Sequence, residues 1–246
     1  MRIRFKVAFI VISMALLQQG CSKLNLNKPV EQLYRDGEVS FQKRRYEDAL
    51  AQWKRVKESY PSPELSARTE INIADAYFLN KEYIEAAAEY DNFRKLHPSH
   101  ELAGYALFGQ GLSYYHEIKG IDTDQTPVKN ALGIFESYLR LYPNGASTLD
   151  VQEKIRSCRD KQLQYELYVA KFYLRTVAYP AAIGRFEGAL YSFFDLPRND
   201  ETLFFLGRAY LNSGQKEKGR EVYSRLLNEY SSSKYVPDAK KAIDKL

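Results

Sequence analysis

The sequence predicts an all-α fold, a right-handed solenoid of about five helix-turn-helix repeats behind a cleaved secretion signal. Three observations carry that prediction. Small residues recur at spacings of 37, 45, 51 and 37 along Ala49, Ala86, Ala131, Ala182 and Gly219, each set among apolar residues at helical intervals. Three of the units close on a proline, at Pro61, Pro98 and Pro143, as fits a place where a helix must stop. A short apolar run stands near the start behind Arg2, Arg4 and Lys6, and no later stretch is apolar for long enough to cross a bilayer.

The run from Val7 to Leu17 would rise only about 16 Å as a helix, against a hydrocarbon core of about 30 Å. It therefore reads as the core of a cleaved signal, residues 1–20. Leu17-Gln-Gln-Gly-Cys21 follows, which is similar to the lipobox of bacterial lipoproteins, with Gln18 standing where leucine is usual. Processing there would make Cys21 the first mature residue, carrying covalent diacylglycerol and an N-acyl chain such as palmitate as the membrane anchor. Ser22 in the next position, rather than aspartate, points to the periplasmic face of the outer membrane. Residues 21–30, with Asn25, Asn27 and Pro29, read as the lipidated cysteine and a tether. Cys158 is then left without a partner, so the fold would use no disulfide.

The repeats follow in order. The first places Leu33, Gly37, Ala49, Trp53 and Val56; the second Ala74, Tyr77, Ala86, Tyr90 and Phe93. The third places Leu107, Gly111, Tyr114, Ala131, Phe135 and Tyr138, with an inserted loop Lys119–Pro127 in which Thr126 would cap the next helix and Pro127 would open it. The fourth gives Ala170, Tyr173, Ala182, Phe186 and Ala189, entered by an extended helix from Thr148 to Leu163, and has Phe194 in place of the closing proline. The fifth gives Leu203, Leu206, Gly207, Tyr210, Gly219, Tyr223 and Leu226. These are tetratricopeptide-type (TPR) units: a small residue lets the two helices approach, large residues lock each pair onto the next, and stability is shared along the stack. Repeats 1–3 occupy residues 31–143 and repeats 4–5 residues 144–246.

Composition narrows the function. The chain has 246 residues and a formal net charge of +5, but three of the cations belong to the signal. The mature chain is near +2, which gives no footing for nucleic-acid binding. His97 and His100 flank Pro98 at a repeat turn with no third ligand nearby, and no nucleophile stands beside His116. The reading is a binding protein rather than an enzyme, with no cofactor beyond the lipid. On the first helix of each repeat, positions facing the hollow of the stack include Tyr34, Phe41, Phe78, Tyr105, Phe108 and Tyr115 in front, and Lys171, Arg175 and Arg208 behind. An aromatic front suits extended peptides with apolar anchors, and a basic back suits an acidic partner.

One resemblance goes further. Asp122-Thr-Asp-Gln-Thr-Pro127, Ala131-Leu-x-x-Phe135-x-x-Tyr-Leu139-x-x-Tyr-Pro143-Asn144, Lys154-Ile-Arg-x-Cys-Arg-Asp160 and Ala182-Ile-x-Arg-Phe-Glu187 together resemble the BamD family of outer-membrane protein assembly lipoproteins. The resemblance implies a subunit of the β-barrel assembly machinery. It would bind unfolded barrel proteins on repeats 1–3 and dock with repeats 4–5 on the barrel protein BamA, among other assembly subunits. It also makes Arg185, in the stretch matching Gly184-Arg-Phe-Glu187, an interface residue. The alternative is a pilotin-type TPR lipoprotein that assists secretin or type IV pilus assembly; an adaptor to peptidoglycan synthases is a third reading.

Overall fold

The computed structural model describes residues 28–246; the signal, Cys21 and the tether up to residue 27 lie outside the described residues. Among the described residues there are eleven α-helices and no strand. They are α1 (Val30–Gln42), α2 (Tyr46–Glu58), α3 (Pro63–Leu79), α4 (Tyr83–Leu96), α5 (Ala103–His116), α6 (Thr126–Leu141), α7 (Thr148–Arg175), α8 (Tyr179–Ser192), α9 (Asn199–Asn212), α10 (Lys216–Glu229) and α11 (Val236–Ile243). Each packs on the one before it and the one after it, so α1/α2, α3/α4, α5/α6, α7/α8 and α9/α10 form five stacked hairpins.

The hairpins close as the small–large pattern requires. Gly37 lies against Trp53, Gly111 against Phe135 and Gly207 against Tyr223. Ala74 with Tyr90, and Ala170 with Phe186, occupy the same cores in their own repeats. Seven residues after the small one, the chain turns through the left-handed region, at Arg44, Lys81, Val177 and Gly214. In the first hairpin the amide of that residue and the next one reach back to the end of the first helix, Arg44 N donating to Phe41 O (2.8 Å) and Arg45 N to Ser40 O (2.9 Å). The third hairpin replaces this turn with its longer loop. Thr126 does not cap α6: the cap position falls at Gln125, whose side chain makes no capping bond, and Asp124 Oδ1 just before it accepts from the Thr126 amide (2.9 Å) and hydroxyl (2.8 Å). Thr126 is already the first helical residue, so its own side chain sits too late to cap the free amides.

The extended helix is present as one continuous 28-residue element, α7. Its two halves belong to different cores. Val151 and Cys158 pack with Leu107, Val128, Ala131, Phe135 and Tyr138 of the third hairpin. Leu163, Leu167, Ala170 and Leu174 pack with Ala182, Phe186, Leu206 and Tyr210 of the fourth and fifth. At about 1.5 Å per residue α7 is about 42 Å long, a rail with α6 antiparallel along its first half and α8 along its second. Repeats 4–5 are therefore stepped along the rail relative to repeats 1–3. The expected division at 143/144 falls in the loop before α7, but the cores divide inside the helix, between Cys158 and Leu163.

Two further differences are found at the ends. Helix α1 begins at Val30, inside the expected tether. Helix α11, which carries no repeat signature, lays Ala239 and Ile243 with Tyr235 over Leu203, Tyr223 and Leu226. A terminal repeat exposes the face its next neighbour would cover, and α11 covers it.

Candidate functional site

The first helices of the hairpins form one face, and consecutive members are tied by polar bonds between residues far apart in sequence. Asn72 Nδ2 donates to the Tyr34 hydroxyl (3.0 Å). The Tyr105 hydroxyl donates to Asp75 Oδ1 (2.8 Å), which also accepts from the Tyr90 hydroxyl (2.5 Å). Tyr115 and Ser157 share a hydrogen bond of 2.8 Å, and Lys171 pairs with Glu201. Apart from the Tyr90–Asp75 bond, which lies within the second hairpin, each of these bonds crosses from one hairpin to the next. Tyrosine serves here because its ring fills the seam while its hydroxyl reaches a partner at the rim.

This geometry sorts the six front aromatics. Tyr34 is buried in the first core, with its carbonyl accepting from Trp53 Nε1 (3.2 Å) and the Arg68 guanidinium 5.1 Å over its ring. Phe41 is half-buried against Trp53 and Tyr46. Phe108 packs on Phe135 and Tyr138, and Lys154 lies 4.9 Å over the Tyr115 ring. Phe78 contacts Tyr83 and His116, whose ring stacks on Tyr83 at 4.9 Å. Tyr105 stands apart, with 47% of its surface exposed. The open part of the front face is thus Tyr105 together with the His116–Tyr83 stack; Phe78 and Tyr115 contact that stack, and Tyr34, Phe41 and Phe108 pack into the repeat cores.

Electrostatics set the character of this face. Burial pushes the Asp75 carboxyl above its ordinary range, opposed by the bonds from Tyr90 and Tyr105. Burial and the adjoining Asp75 push the Tyr105 hydroxyl up, so it stays a donor. Burial, then the charge of Lys154, lowers His116, which favours the neutral ring. Neither Asp75 nor Tyr83 had been singled out from the sequence; only their placement opposite Tyr105 and His116 brings them into the site.

The rear cations are not equally free. Lys171 is engaged by Glu201 and sits 4.6 Å over the Phe205 ring. Arg185 Nη1 pairs with Glu166 Oε2 at 2.8 Å, while Arg175 and Arg208 are exposed. Arg185 opens onto a cleft of about 590 Å³ at the step between the two halves of the stack. Lys129 at the start of α6 and Ser192 and Phe193 at the end of α8 line the same cleft. In an unstepped stack the start of α6 would face the start of α8. Gly184 and Gly188 leave the floor open, with nothing within 4 Å of where a Cβ would stand. Elsewhere, His97 Nε2 lies 2.8 Å from Glu70 Oε2 and His100 Nδ1 accepts from the Leu102 amide (3.1 Å), so both serve the repeat turn. The Cys158 thiol is fully buried and pushed up to about 12 by that burial, a packing group rather than a nucleophile.

A family model and the curated relatives agree on one family. A family described as "Outer membrane lipoprotein", YfiO, matches residues 26–226. The "Outer membrane protein assembly factor BamD" of Caulobacter vibrioides is 27% identical over 212 residues, 86% of this chain and 70% of that protein. The protein of the same description from Rickettsia prowazekii is 28% identical over 232 residues, covering 93% and 92%. Among solved structures, the TPR2AB-domain:pHSP90 complex of yeast Sti1 aligns over 88% of this chain and 84% of that one, at 9% identity and a TM-score of 0.48.

Proposed function

The chain belongs to the YfiO family of outer membrane lipoproteins, a factor of outer-membrane protein assembly at the outer membrane, and from that premise we propose how it works. It is a non-catalytic scaffold, held at the periplasmic face of the outer membrane by lipid on Cys21. The front face binds unfolded β-barrel proteins through Tyr105 and the His116–Tyr83 stack. The rear repeats dock on BamA and bring the bound chain to it.

The observation that carries the docking half is the cleft at the step. It offers an arginine, an open glycine floor and about 590 Å³ of space. Arg185 is already paired with Glu166 on one side only, and both are partly exposed. A partner carboxylate could thus join or replace Glu166 without uncovering a buried charge. A non-peptide chemistry finds no support here, because the face is made of hydroxyls already bonded within the fold and of rings suited to side-chain contact.

Co-purification from detergent-solubilised membranes tests the reading. Recovery of BamA, reduced by Arg185→Glu, is the expected result. Recovery of a secretin or a penicillin-binding protein instead would replace it. On the front face, a photoreactive residue at Tyr105 should crosslink to a C-terminal barrel peptide; no crosslink there would remove the substrate half.

A further inference from the structure

A regular repeat leaves the turn between one hairpin and the next projecting into solvent. Here the rail α7 extends past that level, and the α8–α9 turn finds a partner on it. Arg159 reaches across with a bidentate pair to Asp195, Nη1 to Oδ2 at 2.5 Å and Nη2 to Oδ1 at 2.7 Å. Its Nη2 also donates to the carbonyl of Ser192 (3.1 Å), the last residue of α8. That carbonyl has no partner within its own helix, and a cation suits the negative end of α8. The guanidinium lies 6.0 Å over the Phe193 ring. The next residue of the rail, Asp160, pairs with Arg198 (3.4 Å), which turns the chain into α9 at a φ of 87°. Within the turn, Asn199 Nδ2 donates to the carbonyls of Phe194 (2.8 Å) and Leu196 (3.2 Å).

Ser192 and Phe193, the two residues that Arg159 grips, are also the far wall of the cleft that holds Arg185. Arg159 itself does not line that cleft. We propose that Arg159 is a positioning residue: through Asp195, the Ser192 carbonyl and Phe193 it fixes the far wall of the cleft against the rail. A planar fork is needed for this, since one guanidinium satisfies a carboxylate edge-on and a carbonyl at once, whereas an ammonium offers a single point charge. The pair is partly exposed, so it contributes geometry more than stability. The consequence for docking rests on the reading of the cleft given above; the hold on the wall does not.

The experiment uses the full-length chain in detergent micelles. Hydrogen exchange is followed by mass spectrometry, and affinity for the periplasmic region of BamA is measured in parallel. Arg159→Asp and Asp195→Arg should each speed exchange of amides 193–199 by about two- to fivefold, the scale of an opening made easier by one surface ion pair. Combining the two should restore protection only in part, because a carboxylate at position 159 cannot donate to the Ser192 carbonyl, and Arg159→Lys should likewise keep only part of it. Affinity should fall and recover in the same order. Unchanged exchange in Arg159→Asp, or no recovery in the charge-inverted pair, would overturn the proposal. Faster exchange with unaltered affinity, while Arg185→Glu still weakens binding, would overturn the positioning role as well. If Arg185→Glu leaves affinity unchanged too, the docking reading has failed, and the exchange result alone decides what Arg159 holds.

Discussion

The close approach of helices within a hairpin can be tested by one substitution made at two glycines of the third repeat. Gly111 in α5 and Gly133 in α6 are both interior helical positions, where alanine is intrinsically favoured by roughly 0.5–1 kcal/mol. At Gly133 a new Cβ meets nothing within 4 Å, so Gly133→Ala should stabilise by about that amount. At Gly111 the Cβ would stand 2.5, 2.7 and 3.1 Å from three atoms of the Phe135 ring. Phe135 is fully buried and cannot swing away, so overpacking should cost about 1–3 kcal/mol. The propensity gain is common to both sites and cancels in the comparison. Gly133→Ala should therefore exceed Gly111→Ala in stability by about 1–3 kcal/mol, a separation on the order of 2–4 °C in Tm per kcal/mol for a chain of this size. The assay is thermal and denaturant unfolding of the two purified variants, followed by circular dichroism. If both variants move together, the small-residue positions do not work by close approach and the account of the repeat is wrong.

Other outcomes follow from single residues. Val177 holds a left-handed turn that a β-branched residue adopts at a cost of roughly 1–2 kcal/mol, so Val177→Gly should raise stability by about 1 kcal/mol in denaturant titrations. Asp75 has a carboxyl raised by burial, so its contribution favours the fold fully below its ordinary value of 3.8 and fades as pH rises through the folded value. The stability of the native chain relative to Asp75→Asn should accordingly decline with rising pH above about 4; a rise would refute the assignment. Cys158, buried and raised to about 12, should resist maleimide labelling at neutral pH until the chain is unfolded.

Much of the fold is legible in the sequence because a helical hairpin is local. The small residue and the ring it receives lie 16 apart in four repeats, as Gly37 to Trp53, Ala74 to Tyr90, Ala170 to Phe186 and Gly207 to Tyr223. Both members fall within one turn-linked pair of helices, so their spacing alone brings them together. The inserted loop and the long helix were legible for the same reason, as departures from that spacing. The cap was misplaced by one position, since Thr126 is a good cap on paper and only the start of α6, which puts the cap position at Gln125, decides against it.

The sequence by itself therefore determined the anchor motif, the five hairpins and the residue types on each face. The tertiary structure decided which of those residues meet across repeats. Asp75 finds Tyr105 at a separation of 30, Tyr115 finds Ser157 at 42 and Arg159 finds Asp195 at 36. A periodic pattern fixes which side of a helix is buried, but not how far the next hairpin slides along it. That slide is set by α7, a single rigid helix long enough to serve two cores, and it is what separates the front aromatics from the rear cleft.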